Sequence, residues 1–245
     1  MATDFLTRYN EMPLGLKQGV ILQKRNGEIS FYGGQQLQKF PLIASEDSLL
    51  TQRLGDLTLY DREKVTVQSY SVTAGLRKAG GDFAQQFQTT FSQQERQNLI
   101  DVYYGNDYAC FLFPQELRCS ADSEIRKSLP ANMVPVALIQ NSSNKILSHS
   151  GVYLSTRDGS LYQLPAKFSD LQALDPSQWS RTTQPYRLLN LGIIDRGQVI
   201  ALTQGGKVMT YSAASQQWSS DAALEKSTFV KMLAPFLWSK RLNDL

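Results

Sequence analysis

The chain reads as a mainly β protein of antiparallel hairpins, with a helical insertion over residues 75–130 and a C-terminal helix. Three observations carry that reading. Residues 20–32 (VILQKRNGEISFY), 152–164 (VYLSTRDGSLYQL) and 199–211 (VIALTQGGKVMTY) follow one pattern, in which Val opens an apolar strand, Gly stands seven positions on, and an aliphatic residue follows two after the Gly. Residues 56–60 (DLTLY) and 64–72 (KVTVQSYSV) alternate apolar and polar side chains, the period of a half-buried strand. From Val134 onward, short β-branched and aromatic runs return at close spacing between turn residues.

Turn chemistry makes the three similar stretches hairpins. Asn26-Gly27, Asp158-Gly159 and Gly205-Gly206 tolerate positive φ, so each is expected to form a tight two-residue turn between paired strands. After the first hairpin, the strands at 56–60 and 64–72 are joined through Asp61-Arg62-Glu63. Residues 75–81 (GLRKAGG) punctuate the chain, and residues 82–104 read as helix with Phe83, Phe87, Leu99, Ile100 and Tyr103 on one face. Ser92 followed by Glu95 has the spacing of a capping box. A strand at 108–113 ends at Pro114, one or two helical turns are expected at 123–129, and strands at 136–140 and 146–149 follow. Residues 189–194 pair with 199–203 across Asp195-Arg196-Gly197, for roughly a dozen short strands in all. Residues 221–231 (DAALEKSTFVK) carry helix formers and an acidic start, ahead of an apolar run broken by Pro235.

The repeat extends past the hairpins, because Trp179 and Trp218 trail the second and third copies in similar Ser/Gln surroundings. Those copies lie 47 positions apart, close to the roughly 40–50 residues of a propeller blade. In the pair Gly205-Gly206 and the trailing Trp218 the chain resembles kelch-type and related β-propeller repeats. Copy one lacks the Trp, and copy two has Asp-Gly in place of the double Gly. The resemblance implies a binding platform with recognition loops on one face. A partial propeller and a two-sheet sandwich satisfy the same hairpins.

Hydrophobic residues make up 42% of the chain and charged residues 19%, the balance of an ordered globular protein. The net charge of +3 comes from 25 basic and 22 acidic residues without a basic block, so nucleic acid is not the expected partner. Residues 1–17 lack a basic start and an apolar core, so Cys110 and Cys119 are expected as reduced thiols in a cytoplasmic setting, and the sequon at Asn141 as a chance match. No apolar run approaches the roughly 20 residues of a membrane helix. The expected organisation is one mainly β domain over 1–220 and a helical docking segment over 221–245.

Candidate chemistry is sparse. His149 is the single histidine and, between two serines on an expected strand, reads as a residue without a catalytic role; zinc sites built from several His or Cys are unavailable. Asp56, Asp61, Asp158 and Asp195 could form a carboxylate pair only if folding converges them, and their sequence context is that of turn residues. Arg77 and Lys78, among glycines ahead of the expected helix, are the candidate anion contact. Arg181 and Arg187 around Tyr186 are the best local set for base stacking, and the Gln-rich stretch containing Gln85, Gln86, Gln88, Gln93, Gln94 and Gln97 suits a polar face or a subunit contact. Phe229, Met232, Leu233, Phe236, Leu237 and Trp238 are the candidate interface. With no catalytic constellation, the expected function is a non-enzymatic protein-interaction or structural subunit, with a protein partner and no cofactor or metal. The alternatives are a carboxylate-dependent hydrolase on a β scaffold and an anion- or nucleic-acid-binding accessory protein.

Overall fold

The computed structural model describes residues 19–34, 37–44, 48–53, 56–61, 66–71, 77–78, 91–104, 108–121, 123–141, 146–194 and 198–233. Among these the strands form five four-stranded antiparallel sheets. Blade one takes β1 (Val20–Gln23), β2 (Glu28–Tyr32) and β3 (Leu37–Ile43), and blade two takes β4 (Ser48–Arg53), β5 (Asp56–Asp61), β6 (Thr66–Ser71) and β7 (Arg77–Lys78). Blade three holds β8 (Asp101–Tyr104), β9 (Ala109–Leu112), β10 (Glu116–Ser120) and β11 (Glu124–Ser128). Blade four holds β12 (Pro135–Asn141), β13 (Gly151–Thr156), β14 (Ser160–Gln163) and β15 (Arg181–Thr183). Blade five holds β16 (Leu188–Ile194), β17 (Gln198–Thr203), β18 (Val208–Ser212) and β19 (Gln217–Ser220). The last strand, β20 (Lys231–Leu233), returns to blade one as its innermost strand, pairing Ile21 with Leu233 and Leu22 with Met232.

The innermost strands neighbour one another in the ring β4, β8, β12, β16, β20 and back to β4. This is a closed β-propeller, and its first blade is completed by the C-terminal strand. Alternation along each strand gives every blade two apolar faces, so the cores lie between blades. Leu49 and Tyr60 of blade two pack with Val102 and Phe113 of blade three. Cys110, Leu112 and Leu117 meet Leu138, Val152 and Leu154 across the next joint. Ile139, Tyr153 and Leu161 meet Leu191, Val199 and Ala201, and Ile200, Leu202 and Val208 meet Val20, Leu22 and Met232. Ile21, Ile29 and Phe31 of blade one and Leu50, Leu57 and Leu59 of blade two, on the faces turned away from these clusters, are also buried.

Polar side chains tie the inner strands together. The Thr51 hydroxyl donates to the Val102 carbonyl at 3.0 Å, the Leu138 amide to an Asp101 carboxylate oxygen at 2.8 Å, and the Asn190 side-chain amide to the Met232 carbonyl at 2.5 Å. Lys231 reaches from blade one to Asp101 of blade three at 2.5 Å. These bonds satisfy groups that burial would otherwise leave costly.

Several expectations change here. Among the described residues of the expected helical insertion, α1 (Gln93–Asn98) is a six-residue helix and strands between 101 and 128 build blade three, while residues 79–90, with Phe83 and Phe87 of the expected helix, lie outside the described residues. The Ser92 capping box is present, the hydroxyl accepting from the Glu95 amide and the Glu95 carboxylate from the Ser92 amide. The helical turns expected at 123–129 are strand β11, because its apolar residue, Ile125, stands between polar neighbours and the segment pairs with β10. Residues 146–149 form a turn and bend instead of a strand. The C-terminal helix is likewise absent from the described residues: 222–226 are turns, and 231–233 close the ring. The other helical pieces among the described residues are α2 (Phe168–Ala173) and a 3-10 turn at Pro176–Gln178. Cys110 and Cys119 face each other on β9 and β10 and are disulfide-bonded, overturning the expectation of free thiols. Directly opposed antiparallel positions place Cβ atoms within reach of that bond.

Candidate functional site

The three sequence-similar hairpins are the second and third strands of blades one, four and five. Their glycines have φ of 82° (Gly27), 92° (Gly159) and 78° (Gly206), and each amide donates to the carbonyl three residues back, at Lys24, Thr156 and Thr203. Asn26, Asp158 and Gly205 keep negative φ. The turns are therefore three-residue loops with a left-handed closing glycine, not the two-residue turns expected from the dipeptides.

The closing glycine positions the next crossover. A Cβ on Gly27 would lie 1.6 Å from the Ala44 carbonyl oxygen, and one on Gly206 would lie 2.9 Å from that of Phe229. The Ala44 amide donates to the Gly27 carbonyl, and the Phe229 amide to that of Gly206, both at 2.9 Å. Each crossover into a following blade thus rests on the glycine of the preceding hairpin. In an antiparallel four-stranded blade the middle turn and the outgoing crossover emerge at the same end, so both kinds of loop gather on one face of the ring.

On this crossover face, above blade five, lies an open groove of about 930 Å³. It is lined by Tyr186 and Arg187 from the crossover into blade five, by Thr203, Gln204, Gly205 and Lys207 from the β17–β18 turn, and by Leu224 and Glu225 from the crossover into β20. The wall is held by hydrogen bonds from the Gln204 amide to the Arg187 carbonyl at 2.7 Å and from the Gln204 side chain to the Thr156 carbonyl at 2.9 Å. Lys207 is steered across the groove by its 2.9 Å bond to the Glu225 carbonyl. Val208 and Met209 form an apolar floor.

Exposed apolar side chains collect at the same end. Among the described residues the exposed large hydrophobics are Ile43, Val134, Leu174, Tyr186 and Val230. Ile43 ends β3, and Val134, Tyr186 and Val230 sit on crossovers, so four of the five flank the crossover face; Leu174 lies between β14 and β15, at the opposite end. Apolar area concentrated at loops of one face is the pattern of a contact surface.

The sequence-derived candidates do not assemble a catalytic centre among the described residues. His149 is exposed, and its backbone carbonyl accepts from the Asn141 and Tyr153 side chains at 2.8 Å each. Asp158 is engaged in its own turn: bonds from the Thr156 hydroxyl and from the amide and hydroxyl of Ser160 hold its pKa down to about 2, with Arg181 3.6 Å away. Asp56 and Asp61 are the end residues of strand β5 instead of turn residues, and Asp195 lies outside the described residues. Arg77 and Lys78 form β7, paired with Tyr70 and Ser71 at the outer edge of blade two. Phe229, Met232 and Leu233 are buried in the ring closure, whereas Phe236, Leu237 and Trp238 lie outside the described residues. Of the Gln-rich stretch, Gln93, Gln94 and Gln97 fall on or beside the exposed surface of α1, and Gln85, Gln86 and Gln88 lie outside the described residues.

Among the described residues no three His, Cys, Asp or Glu side chains are grouped to hold a metal, and no helix is long and apolar enough to cross a membrane. Arg118, another charged group near this face, is fully engaged: it pairs with Glu95 at 2.6 Å and with Glu116, and its guanidinium lies 4.8 Å from the Phe113 ring centre and 5.7 Å from that of Phe91. Of the set Arg181, Tyr186 and Arg187, the last two line the groove, whereas the Arg181 guanidinium donates to the Ser160 hydroxyl on blade four; the other walls come from segments up to some 40 residues away in the chain, which no local pattern joins.

No protein-family model and no curated protein sequence matches the chain. Its solved structural neighbours include AztD from Citrobacter koseri (10% identity, 83% of this chain and 69% of that one, TM-score 0.43). They also include streptogramin B lyase (10% identity, 83% and 68%, TM-score 0.40) and YCF48 from Cyanidioschyzon merolae (14% identity, 82% and 65%, TM-score 0.38). The propeller assignment rests on the strand topology described above.

Proposed function

We propose that the protein is a non-enzymatic interaction subunit that docks a protein partner on its crossover face, around the groove above blade five. The observation that carries this reading is the placement of Ile43, Val134, Tyr186 and Val230 at the end of the ring that also carries the groove, with Tyr186 in its wall. The carboxylate-hydrolase reading lacks such support, because Glu225 is the one acidic residue lining the groove and two converging carboxyl groups are needed. Docking on the face is favoured over docking through Phe229, Met232 and Leu233, which are buried in the ring; Phe236, Leu237 and Trp238 lie outside the described residues.

The test is quantitative capture from native lysate by the intact chain, by a Tyr186→Asp/Val230→Asp variant, and by Leu174→Asp as a control at the opposite end. The expected result is a stoichiometric partner retained by wild type and the control and reduced at least tenfold by the double variant. Capture unchanged in the double variant overturns the reading.

The buried Cys110–Cys119 bond further supports folding in an oxidising compartment, in place of the cytoplasmic setting expected earlier. Protein isolated from its native source under acid quench is expected to show no free thiol after denaturation; two free thiols per chain contradict this.

A further inference from the structure

We infer that the segment docked in the groove above blade five is an acidic stretch of protein chain carrying at least one apolar side chain; this rests on the docking function proposed above. The charges available on that part of the face are unbalanced. Arg187 and Lys207 line the groove, and the exposed side chains of Arg25, Arg157 and Lys226 stand on the neighbouring turns of blades one and four and on the crossover into β20. Hydrogen bonds link these loops into one continuous rim: Gln204 joins Thr156 and Arg187, Phe229 joins Gly206, and Val230 joins Gln23.

The acids on the same rim are mostly occupied. Asp158 is bound by Thr156 and Ser160, and Glu28 by Lys24 at 2.8 Å and Lys39 at 3.0 Å. The Arg187 guanidinium has no partner among the described residues. Glu225 is the remaining acid of the groove. A planar guanidinium beside an open, half-apolar groove is suited to a carboxylate, while Tyr186, Val208, Met209 and Leu224 supply the apolar contact.

Glu225 also argues for protein over nucleic acid. A nucleic-acid backbone presents an unbroken series of phosphates, which Glu225 in the groove would repel, whereas a peptide can place a neutral or basic residue opposite it. The positive charge is confined to a few turns of a chain whose net charge is +3, unlike the extended basic track of a nucleic-acid binder.

The experiment selects a phage-displayed library of random twelve-residue peptides on the intact, disulfide-bonded protein, then measures labelled winners by fluorescence anisotropy at about 50 and 200 mM salt. The variants are Arg187→Glu, Arg157→Glu and, as a remote control on β11, Arg126→Glu. The expected winners carry an excess of Asp and Glu with an interspersed apolar residue, bind at least fivefold more weakly at the higher salt, and lose at least tenfold with Arg187→Glu while keeping their affinity with Arg126→Glu. Winners that need Tyr186 and Val230 but show no acidic excess overturn this inference and leave the docking function standing. Absence of any winner sensitive to Tyr186→Asp/Val230→Asp overturns both. Tighter binding of a twenty-nucleotide thymidine oligomer than of any winner, lost with Arg187→Glu, also overturns it by assigning the rim to nucleic acid. Circular dichroism and an unchanged thermal midpoint establish that Arg187→Glu, an exposed substitution, folds.

Discussion

Gly205 and Gly206 are adjacent in one turn, yet the structure assigns them opposite tolerances. Gly206 has φ of 78° and a Cβ there would lie 2.9 Å from a backbone oxygen, whereas Gly205 has no positive φ and its nearest neighbour is the Thr203 hydroxyl at 3.7 Å. Gly206→Ala is therefore expected to destabilise by about 1–3 kcal/mol, and Gly205→Ala to be neutral or stabilising by up to about 1 kcal/mol, in urea denaturation. Equal effects at both positions contradict the turn assignment. The carboxylates Asp158 and Glu95 give a second residue-level test, since hydrogen bonds hold both at about 2, below ordinary values of 3.8 and 4.5. A depressed folded-state pKa adds stability that is present above the unfolded pKa and lost as pH falls through the folded one. The thermal midpoint should thus fall between about pH 4.5 and 2, with Asp158→Asn making that decline shallower; an unchanged slope removes Asp158 from the account.

Within blade three, the disulfide joins two central strands at directly opposed positions with both cysteines buried. Replacing Cys110 and Cys119 together by Ala is expected to cost about 2–4 kcal/mol, and dithiothreitol a similar amount, measured as a lowered denaturation midpoint. The hairpins of blades one, four and five were readable from sequence because their Gly sits at a fixed offset from an opening Val. Trp218 repeats that logic, packing on Tyr211 with ring centres 5.3 Å apart on the paired strands β18 and β19. Of blade three only β9 was legible, as the strand expected at 108–113: β8, β10 and β11 are four or five residues long, and the capped start at Ser92 is a true helix signal that ends after six residues. Strands β15 and β20 are three residues long, too short for alternation to distinguish them from loop, and only pairing with a neighbour defines them.

At the scale of the whole molecule, the tail was legible as apolar but its role was not, because an apolar run reads alike whether it closes its own ring or meets a partner. The ring decides: Phe229 packs with Leu202 and Leu224, and β20 pairs with β1. Burying Phe229, Met232 and Leu233 contributes about 1.5–3 kcal/mol each by transfer, a sum comparable with the typical 5–15 kcal/mol stability of a domain. A chain ending at Ser220 is therefore expected to lose cooperative unfolding altogether, which makes point variants of the crossover face the proper probes of docking. The groove above blade five also depends on this closure, since Leu224 and Glu225 are held between β19 and β20. Amide hydrogen exchange across residues 229–233, read by mass spectrometry on the intact chain, tests the closed ring most directly. The account predicts protection comparable with that of the other innermost strands, β12 and β16, each paired on one side as β20 is; exchange complete within seconds, while those strands stay protected, would contradict it.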